Sequence, residues 1–475
     1  MNSAPRVSIE ALREIEAELS QPLFRGVPIG ATLNDVGIIE LHLGRAHWGF
    51  ASCWKDRLRR LKYSLRPLTG REAMPAMPQG RILVTWMCDN FRMSGLVQPV
   101  LKELESEEPL VICGNSDMRC KAPVPARAIF WTQAMHFDVA AWRSDYRKCR
   151  GPWQERLRGL CRKHGLPRGI YDRLAFHLLV SSQSVAGCLE FLQTVRPSAI
   201  LTEYDRNSMW SSLVLSARFL GIPTFTMIHG VLNERAFGYV PVLADKVFCW
   251  GELQRRMFLT EGEDPAKLLL GGCPRLTRDL AVTQADGRKS LGLEIDKPAV
   301  MLATGPCEPR FCLEFAECFC LAARRSETYS AFVRLHPSEK LESYAELIRR
   351  YPNVRFTSNA DATLDEALAA SDIVVVHSSG LGSDALVKGR LTVVLDLPTQ
   401  RLGHGLELIE RAGCPRATSS ESLHEIVLRL LGDSPERRAC EKAREAFVAE
   451  FIAYFGESAA KEIAQAVRQA ISARM

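Results

Sequence analysis

Phe332-Val333-Arg334-Leu335-His336-Pro337 and, further along, Ile373-Val374-Val375-Val376-His377-Ser378-Ser379-Gly380 decide how this chain is read. Each is an apolar run of strand length that ends abruptly in polar and small residues, and each leads into a helical pattern. Strands buried on both faces of a parallel sheet read as unbroken apolar runs. In open parallel sheets, ligands bind beyond the carboxyl ends of the strands. The second turn suits a phosphate. Ser378 and Ser379 can cap a helix, and Gly380 and Gly382 let a backbone come close. A helix N-terminus presents unpaired N–H groups and positive partial charge. Arg334 and His336 add donors at the first strand end. Ordinary capping by Ser and Gly explains either turn alone. Two such turns, spaced as successive βα units, point to an anion site.

Working outward, the second half of the chain predicts strands at 299–303, 331–335, 354–356, 373–376 and 392–395, with helices between them. The first half predicts the same alternation from Arg81 onward, with strands at 82–87, 110–114, 128–131, 199–204, 223–228 and 246–251. Strands alternating with helices mean mainly parallel sheets wrapped on both faces. Gly271-Gly272-Cys273-Pro274-Arg275 and the polar stretch after it place a boundary between two α/β domains. Residues 1–80 then form an N-terminal extension, 81–275 a first domain, 276–434 a second, and 435–475 a tail of charged helices able to cross back. Two such domains with a hinge suggest an enzyme whose substrates lie in the cleft.

In the extension, residues 8–19 read as an amphipathic helix. Trp54 to Arg66 places leucines at helical spacing with basic residues between them. Such a segment can lie on an anionic membrane surface, or pack on the domain with a solvated basic face.

The totals narrow the function classes. A 475-residue chain with 47% hydrophobic and 24% charged residues fits a folded globular protein of two or three domains. A net charge of +6 suits an anionic small substrate or a membrane surface and does not demand nucleic acid. The fifteen cysteines are scattered, with no Cys-x-x-Cys pair. They read as buried thiols in a reducing compartment and not as a zinc site. The first twenty residues are too polar for a signal peptide. No apolar run reaches the roughly 18 residues that span a bilayer. The expected location is cytoplasmic, peripheral on the inner face of the plasma membrane.

Four features, taken in order, resemble a family: Ile222-Pro223-Thr224 with His229-Gly230; Gly272-Cys273-Pro274-Arg275; Arg334-Leu335-His336-Pro337; and Ser378-Ser379-Gly380 followed by Asp384-Ala385-Leu386. Together they resemble the GT-B-fold glycosyltransferases of bacterial surface polysaccharide synthesis, over residues 80–420. The nearest groups are the capsule and lipopolysaccharide Kdo or sialic acid transferases and the CDP-glycerol glycerophosphotransferases. The resemblance implies two Rossmann-like domains facing across a cleft. It also implies transfer of a sugar or polyol phosphate from a nucleotide-activated donor, CMP-linked or other, to a glycan or lipid-linked acceptor. The donor is a substrate, so no cofactor is expected, and no metal. The chain departs from the family at Asp384, where a Glu commonly holds the ribose, and at Gly389-Arg390-Leu391, where a Pro is common.

Chemistry and resemblance together assign the roles. Transfer needs an acceptor hydroxyl deprotonated and a phosphate leaving group stabilised. His229, at a strand end of the first domain, is the candidate base; as a core histidine beside a tight Gly turn it would have no such role. Glu203 and Asp205 are rival bases, or an orienting pair, or a helix cap. Arg334, His336, Ser378, Ser379 and Gly380 would hold the donor phosphate. Thr304, Gly305, Arg275 and Asp384 complete the substrate-binding set. His377 and His404 are further candidates. A nucleotide-sugar 2-epimerase and a non-catalytic scaffold of envelope glycan assembly are the competing readings.

Overall fold

The structure is a computed structural model that describes residues 9–34, 50–65, 67, 79–87, 91–114, 128–166, 168–230, 238–305, 309–377, 379–398 and 404–473. Its first sheet has seven strands: β1 (Ile82–Trp86), β2 (Leu110–Cys113), β3 (Ala128–Phe130), β4 (Ala199–Thr202), β5 (Thr224–Met227), β6 (Lys246–Cys249) and β7 (Leu268–Leu270). Their order is β3-β2-β1-β4-β5-β6-β7. The second sheet has six: β8 (Ala299–Ala303), β9 (Ser330–Arg334), β10 (Val354–Thr357), β11 (Ile373–Val376), β12 (Leu391–Leu395) and β13 (Arg416–Ala417). Their order is β10-β9-β8-β11-β12-β13. Every pairing is parallel. The expected α/β class with two Rossmann-like sheets is therefore the observed one. The apolar runs give strands buried on both faces: all residues of β1, β2, β4, β5, β8, β11 and β12 are buried. Two short edge strands, β7 and β13, were not expected; three and two residues give no period to read.

Each sheet reverses its winding once, between β1 and β4 and between β8 and β11. Such a reversal opens a crevice beyond the carboxyl ends of the two central strands. In the second sheet the register brings three strand ends level. Ala303 of β8 lies opposite both Arg334 of β9 and Val376 of β11. The residues that follow these three therefore leave the sheet together.

The helix Arg168–Val195 packs between the helices Phe50–Leu65, Val139–Lys163 and Ser208–Phe219. Its segment Gly169–Val195 is long and apolar enough to cross a membrane by length and composition, and 78% of its most apolar window is buried in the molecule. This corrects the reading that no stretch reaches that length. Periodicity does not separate a core helix covered on several sides from a lipid-facing one.

The tail joins the two halves. The helix Pro435–Phe451 packs on the helices Glu252–Thr260, His404–Ala412 and Ser420–Leu431. The helix Gly456–Ser472 packs on Phe91–Glu103, where Arg468 Nε reaches Glu107 Oε1 at 2.6 Å. Between them the chain runs against Gly272. Cys273 N–H donates to the Tyr454 carbonyl at 2.9 Å, and Ala453 N–H donates to that of Trp250 at 2.7 Å. Gly272 has φ +71°, and a Cβ there would lie 2.2 Å from the Tyr454 oxygen.

This predicts a ranking. Gly221 has φ +74° with nothing within 4 Å of a built Cβ. Gly221→Ala should carry only the left-handed backbone penalty of roughly 1–2 kcal/mol. Gly272→Ala adds a backbone clash that no side chain can relieve. It should lower the thermal midpoint clearly more than Gly221→Ala. Equal midpoints would mean that the tail does not press on Gly272.

Candidate functional site

The crevice of the second sheet collects Thr304 and Gly305 after β8, His336 after β9, and His377, Ser379 and Gly380 after β11. A Cβ built on Gly305 would lie 3.9 Å from Ser379 Cβ, so the first and fourth turns face each other across the switch point. The His336 ring stands at the rim with its Nδ1 2.7 Å from Ser338 Oγ. Ser378 lies outside the described residues, as does the His404 side chain.

The sequence did not single out Glu339, which builds this rim. Its Oε2 accepts His336 N–H at 2.9 Å and the Thr304 hydroxyl, and its Oε1 accepts the Tyr344 hydroxyl at 2.6 Å. Thr304 Oγ1 in turn accepts His336 N–H at 2.8 Å. One carboxylate thus ties the β8 and β9 turns together. The signal was legible: a Glu three residues after His336 reaches back to that residue's backbone N–H, as in a capping box. Thr304, placed in the substrate-binding set by the sequence reading, is bonded into this frame.

Arg334 is engaged by the protein itself. It is buried, and its guanidinium donates to the Ser358 carbonyl at 3.0 Å, to the Ala362 carbonyl and to Asn359 Oδ1. It holds the loop after β10 and does not face the crevice. Burial pulls its pKa below the ordinary guanidinium value, partly offset by Asp361 and Glu366. His377 is turned inward, with Nδ1 3.0 Å from the Leu395 carbonyl and its ring stacked 4.1 Å from Phe315. Gly382 serves packing, because a Cβ there would lie 2.5 Å from Leu408 Cδ1 and 3.1 Å from Val376 Cγ2. The helix Leu381–Val387 has only seven residues. Two of its early amides are taken by Ser379, at 3.3 Å to Oγ and 3.0 Å to the carbonyl. His336, Ser379, Gly305 and Gly380 remain as crevice residues.

Arg275 and Asp384 meet as a bidentate pair, Nη1 to Oδ2 at 3.0 Å and Nη2 to Oδ1 at 3.3 Å. Their side chains are only 14% and 9% exposed. Burial works to lower the Arg275 pKa, but the Asp384 charge more than offsets it and the group stays above its ordinary value. Both Asp384 oxygens face Arg275, so the ribose role implied by resemblance is not what this geometry shows. Arg275 also sits 5.8 Å from the Trp250 ring and against Gly95, where a built Cβ would lie 3.0 Å from Arg275 Cγ.

Trp250 leads to the first sheet. Its Nε1 donates to the Ile228 carbonyl at 2.7 Å, one residue before His229. The His229 ring is caged by Tyr204, edge-on at 4.7 Å, and Tyr239, tilted at 5.4 Å. The Tyr239 hydroxyl lies 3.2 Å from Nδ1. Tyr204 is itself fixed by a 2.7 Å bond to the Gly238 carbonyl. A continuous set of contacts therefore links the His229 turn to Asp384 in the other half.

The rival bases, Glu203 and Asp205, are both enclosed. Glu203 is fully buried at the switch point of the first sheet. It accepts the Thr85 hydroxyl, Met87 N–H at 2.9 Å and Trp210 Nε1 at 2.9 Å. Asp205 Oδ2 accepts Leu243 and Ala244 N–H at 2.7 and 2.9 Å. Burial raises the pKa of both, against the lowering effect of these bonds. Carboxylates so enclosed fasten strand ends.

No protein-family profile and no curated protein sequence matches the chain, but solved structures do. A UDP-N-acetylglucosamine 2-epimerase from Listeria monocytogenes, described as putative, superposes with TM-score 0.52 at 15% identity. It covers 82% of this chain and 96% of its own. The wall teichoic acid polymerase TagF superposes with TM-score 0.51 at 15% identity, over 90% and 99% of the two chains. MnaA from S. aureus, solved with UDP, gives TM-score 0.50 at 14% identity over 83% and 97%. At such identities the likeness establishes the fold alone: two parallel α/β sheets in the GT-B arrangement.

The Glu203 assignment generates a pH prediction. Its folded pKa is raised above the ordinary 4.5. Below that value both states are protonated; above it the unfolded chain ionises first. Stability contributed by the protonated form is therefore lost as pH rises. Glu203→Gln keeps an acceptor for Met87 and Trp210 and does not titrate. Its thermal midpoint should gain on wild type as pH climbs from 4.5 to neutrality, and a difference independent of pH would refute the burial argument.

Proposed function

We propose that the chain is a transferase. It takes a nucleotide-activated sugar or polyol phosphate in the crevice of the second sheet and passes the activated group to a hydroxyl of a glycan or lipid-linked acceptor held at the first. The observation that carries this reading is the convergence of Gly305, His336 and Ser379 at one level beyond β8, β9 and β11, with His229 joined to the same centre through Trp250 and Arg275. Among structures of this fold, MnaA was solved with UDP and TagF was soaked with CDPG.

In the proposed step the acceptor O–H bond breaks and its proton passes to the His229 imidazole. The acceptor oxygen forms a new bond to the anomeric carbon, or to phosphorus for a polyol phosphate donor. The bond from that atom to the bridging oxygen breaks, and the nucleotide leaves carrying the electron pair as phosphate charge. Tyr239 and Tyr204 fix the imidazole. The His336 ring and the Ser379 hydroxyl supply donors toward the leaving charge. Glu339 acts through them as a positioning residue, since it holds the His336 backbone and Thr304.

Thermal-shift measurements with CMP, CDP, UDP and GDP test the donor half. The right nucleotide at about 100 times its Kd should stabilise the protein by about 2.7 kcal/mol. His336→Ala should weaken that nucleotide by about 1.5–3 kcal/mol, the range for a hydrogen bond to a charged group. His229→Ala tests the acceptor half. It should bind nucleotide as wild type does, lose transfer by about 10²–10⁴-fold, and lose the acid limb of the pH–rate profile. Glu203→Gln and Asp205→Asn should keep most of the rate. Conversion of a nucleotide sugar without acceptor and without nucleotide release would replace this reading with an epimerase. Absence of binding by all four nucleotides would leave a scaffold.

A further inference from the structure

The helix Phe50–Leu65 carries an outer face that the proposed chemistry does not use. Leu58, Leu61 and Leu65 are 59%, 58% and 66% exposed. At 3.6 residues per turn they fall within about 60° of one another. The inner face is anchored. Arg57 Nε pairs with buried Asp172 at 2.8 Å, Tyr63 sits 5.8 Å from Phe176, and the Tyr63 carbonyl accepts Gln183 Nε2 at 3.0 Å. These contacts fix the roll of the helix and so hold the three leucines outward. Arg59 and Lys62 are exposed beside the stripe.

A second basic element lies alongside. The helix Val139–Lys163 has eight basic and two acidic residues, an excess equal to the +6 of the whole chain. Arg143, Arg147 and Arg150, at spacings of four and three, are exposed on one face. Arg143 Nη2 donates to the Leu65 carbonyl at 3.2 Å. The arginine row thus borders the carboxyl end of the leucine stripe.

We infer that this combined face docks on an anionic lipid bilayer, with Leu58, Leu61 and Leu65 entering the headgroup boundary and the arginine row meeting lipid phosphates. Charge complementarity selects the occupant. A row of unbroken positive charge beside exposed leucines opposes a second copy of itself, whereas an amphipathic helix with a basic flank has the composition of an interfacial membrane helix. The inference is independent of the reaction proposed above, because it is scored without donor or turnover.

The test is sedimentation of the full chain with vesicles of phosphatidylcholine alone or with about 30 mol % phosphatidylglycerol. The protein should pellet with the anionic vesicles only and be released by about 0.5 M salt. Arg143→Gln/Arg147→Gln/Arg150→Gln should reduce pelleting by more than tenfold, since each surface charge contributes about a fivefold factor. Leu58→Ser/Leu61→Ser/Leu65→Ser should do the same while leaving the circular dichroism and thermal midpoint unchanged. Loss with the leucine variant separates bilayer insertion from plain polyanion binding. Wild type that ignores anionic vesicles, or either variant pelleting like wild type, overturns the inference. So does light scattering in which the leucine variant turns a dimer into a monomer without any vesicle binding, which assigns the face to a second copy.

Discussion

The Arg275–Asp384 pair is the constraint on which the arrangement of the two sheets depends. A guanidinium withdrawn from water loses several kcal/mol of hydration, recovered only by a partner in good geometry. Arg275 finds that partner in the other half of the chain. Its stem lies on Gly95 and its planar end near Trp250, so the cation cannot follow Asp384 far without leaving its own side. Such a pair need not add net stability. Its effect is to fix the register between the two bodies. The tail adds to this fixing, since its backbone closes on Gly251 and Gly272 and hydrogen-bonds either side of them.

The same physics sorts the polar groups at the strand ends. A carboxylate or guanidinium just past a buried strand either reaches solvent or is fully bonded. Glu203, Asp205, Glu339 and Arg334 take the second course and fasten adjacent turns. The rings of His229 and His336 occupy half-buried rim positions. The charged groups behind the rim hold it in shape.

This division explains what was legible in the sequence. Strands read well because burial on both faces makes them continuous apolar runs; the expected 299–303 and 373–376 match the observed β8 and β11. Side-chain direction read poorly where chemistry was inferred from position alone. In β9, Ala331 and Val333 face one core and Phe332 the other, so Arg334 shares the Phe332 face and lies under the β10 loop. Period-two alternation held that information, but the polar strand end drew attention to the cleft. Long-range pairs such as Arg275 with Asp384, 109 residues apart, leave no local pattern to read.

The N-terminal extension shows the limit from the other side. The helix Arg168–Val195 is apolar enough to pass for a membrane span, yet Ser181, Ser182 and Gln183 interrupt it at mid-length. In lipid these groups would be desolvated without dedicated partners. Here each has one from a different element. Thr32 Oγ1 donates to Ser181 Oγ at 2.6 Å, Trp142 Nε1 to Ser182 Oγ at 3.0 Å, and Gln183 Nε2 to the Tyr63 carbonyl. Two of these partners belong to the extension, which also sends Glu16 to the fully buried Arg206 at 2.5 Å. Residues 9–34 and 50–65 are thus hydrogen-bonded into the first sheet's helical layer. Their removal would strand a buried guanidinium and the Ser181 and Gln183 side chains, so the extension is a structural part of that layer and carries the exposed leucine face at a fixed place on it.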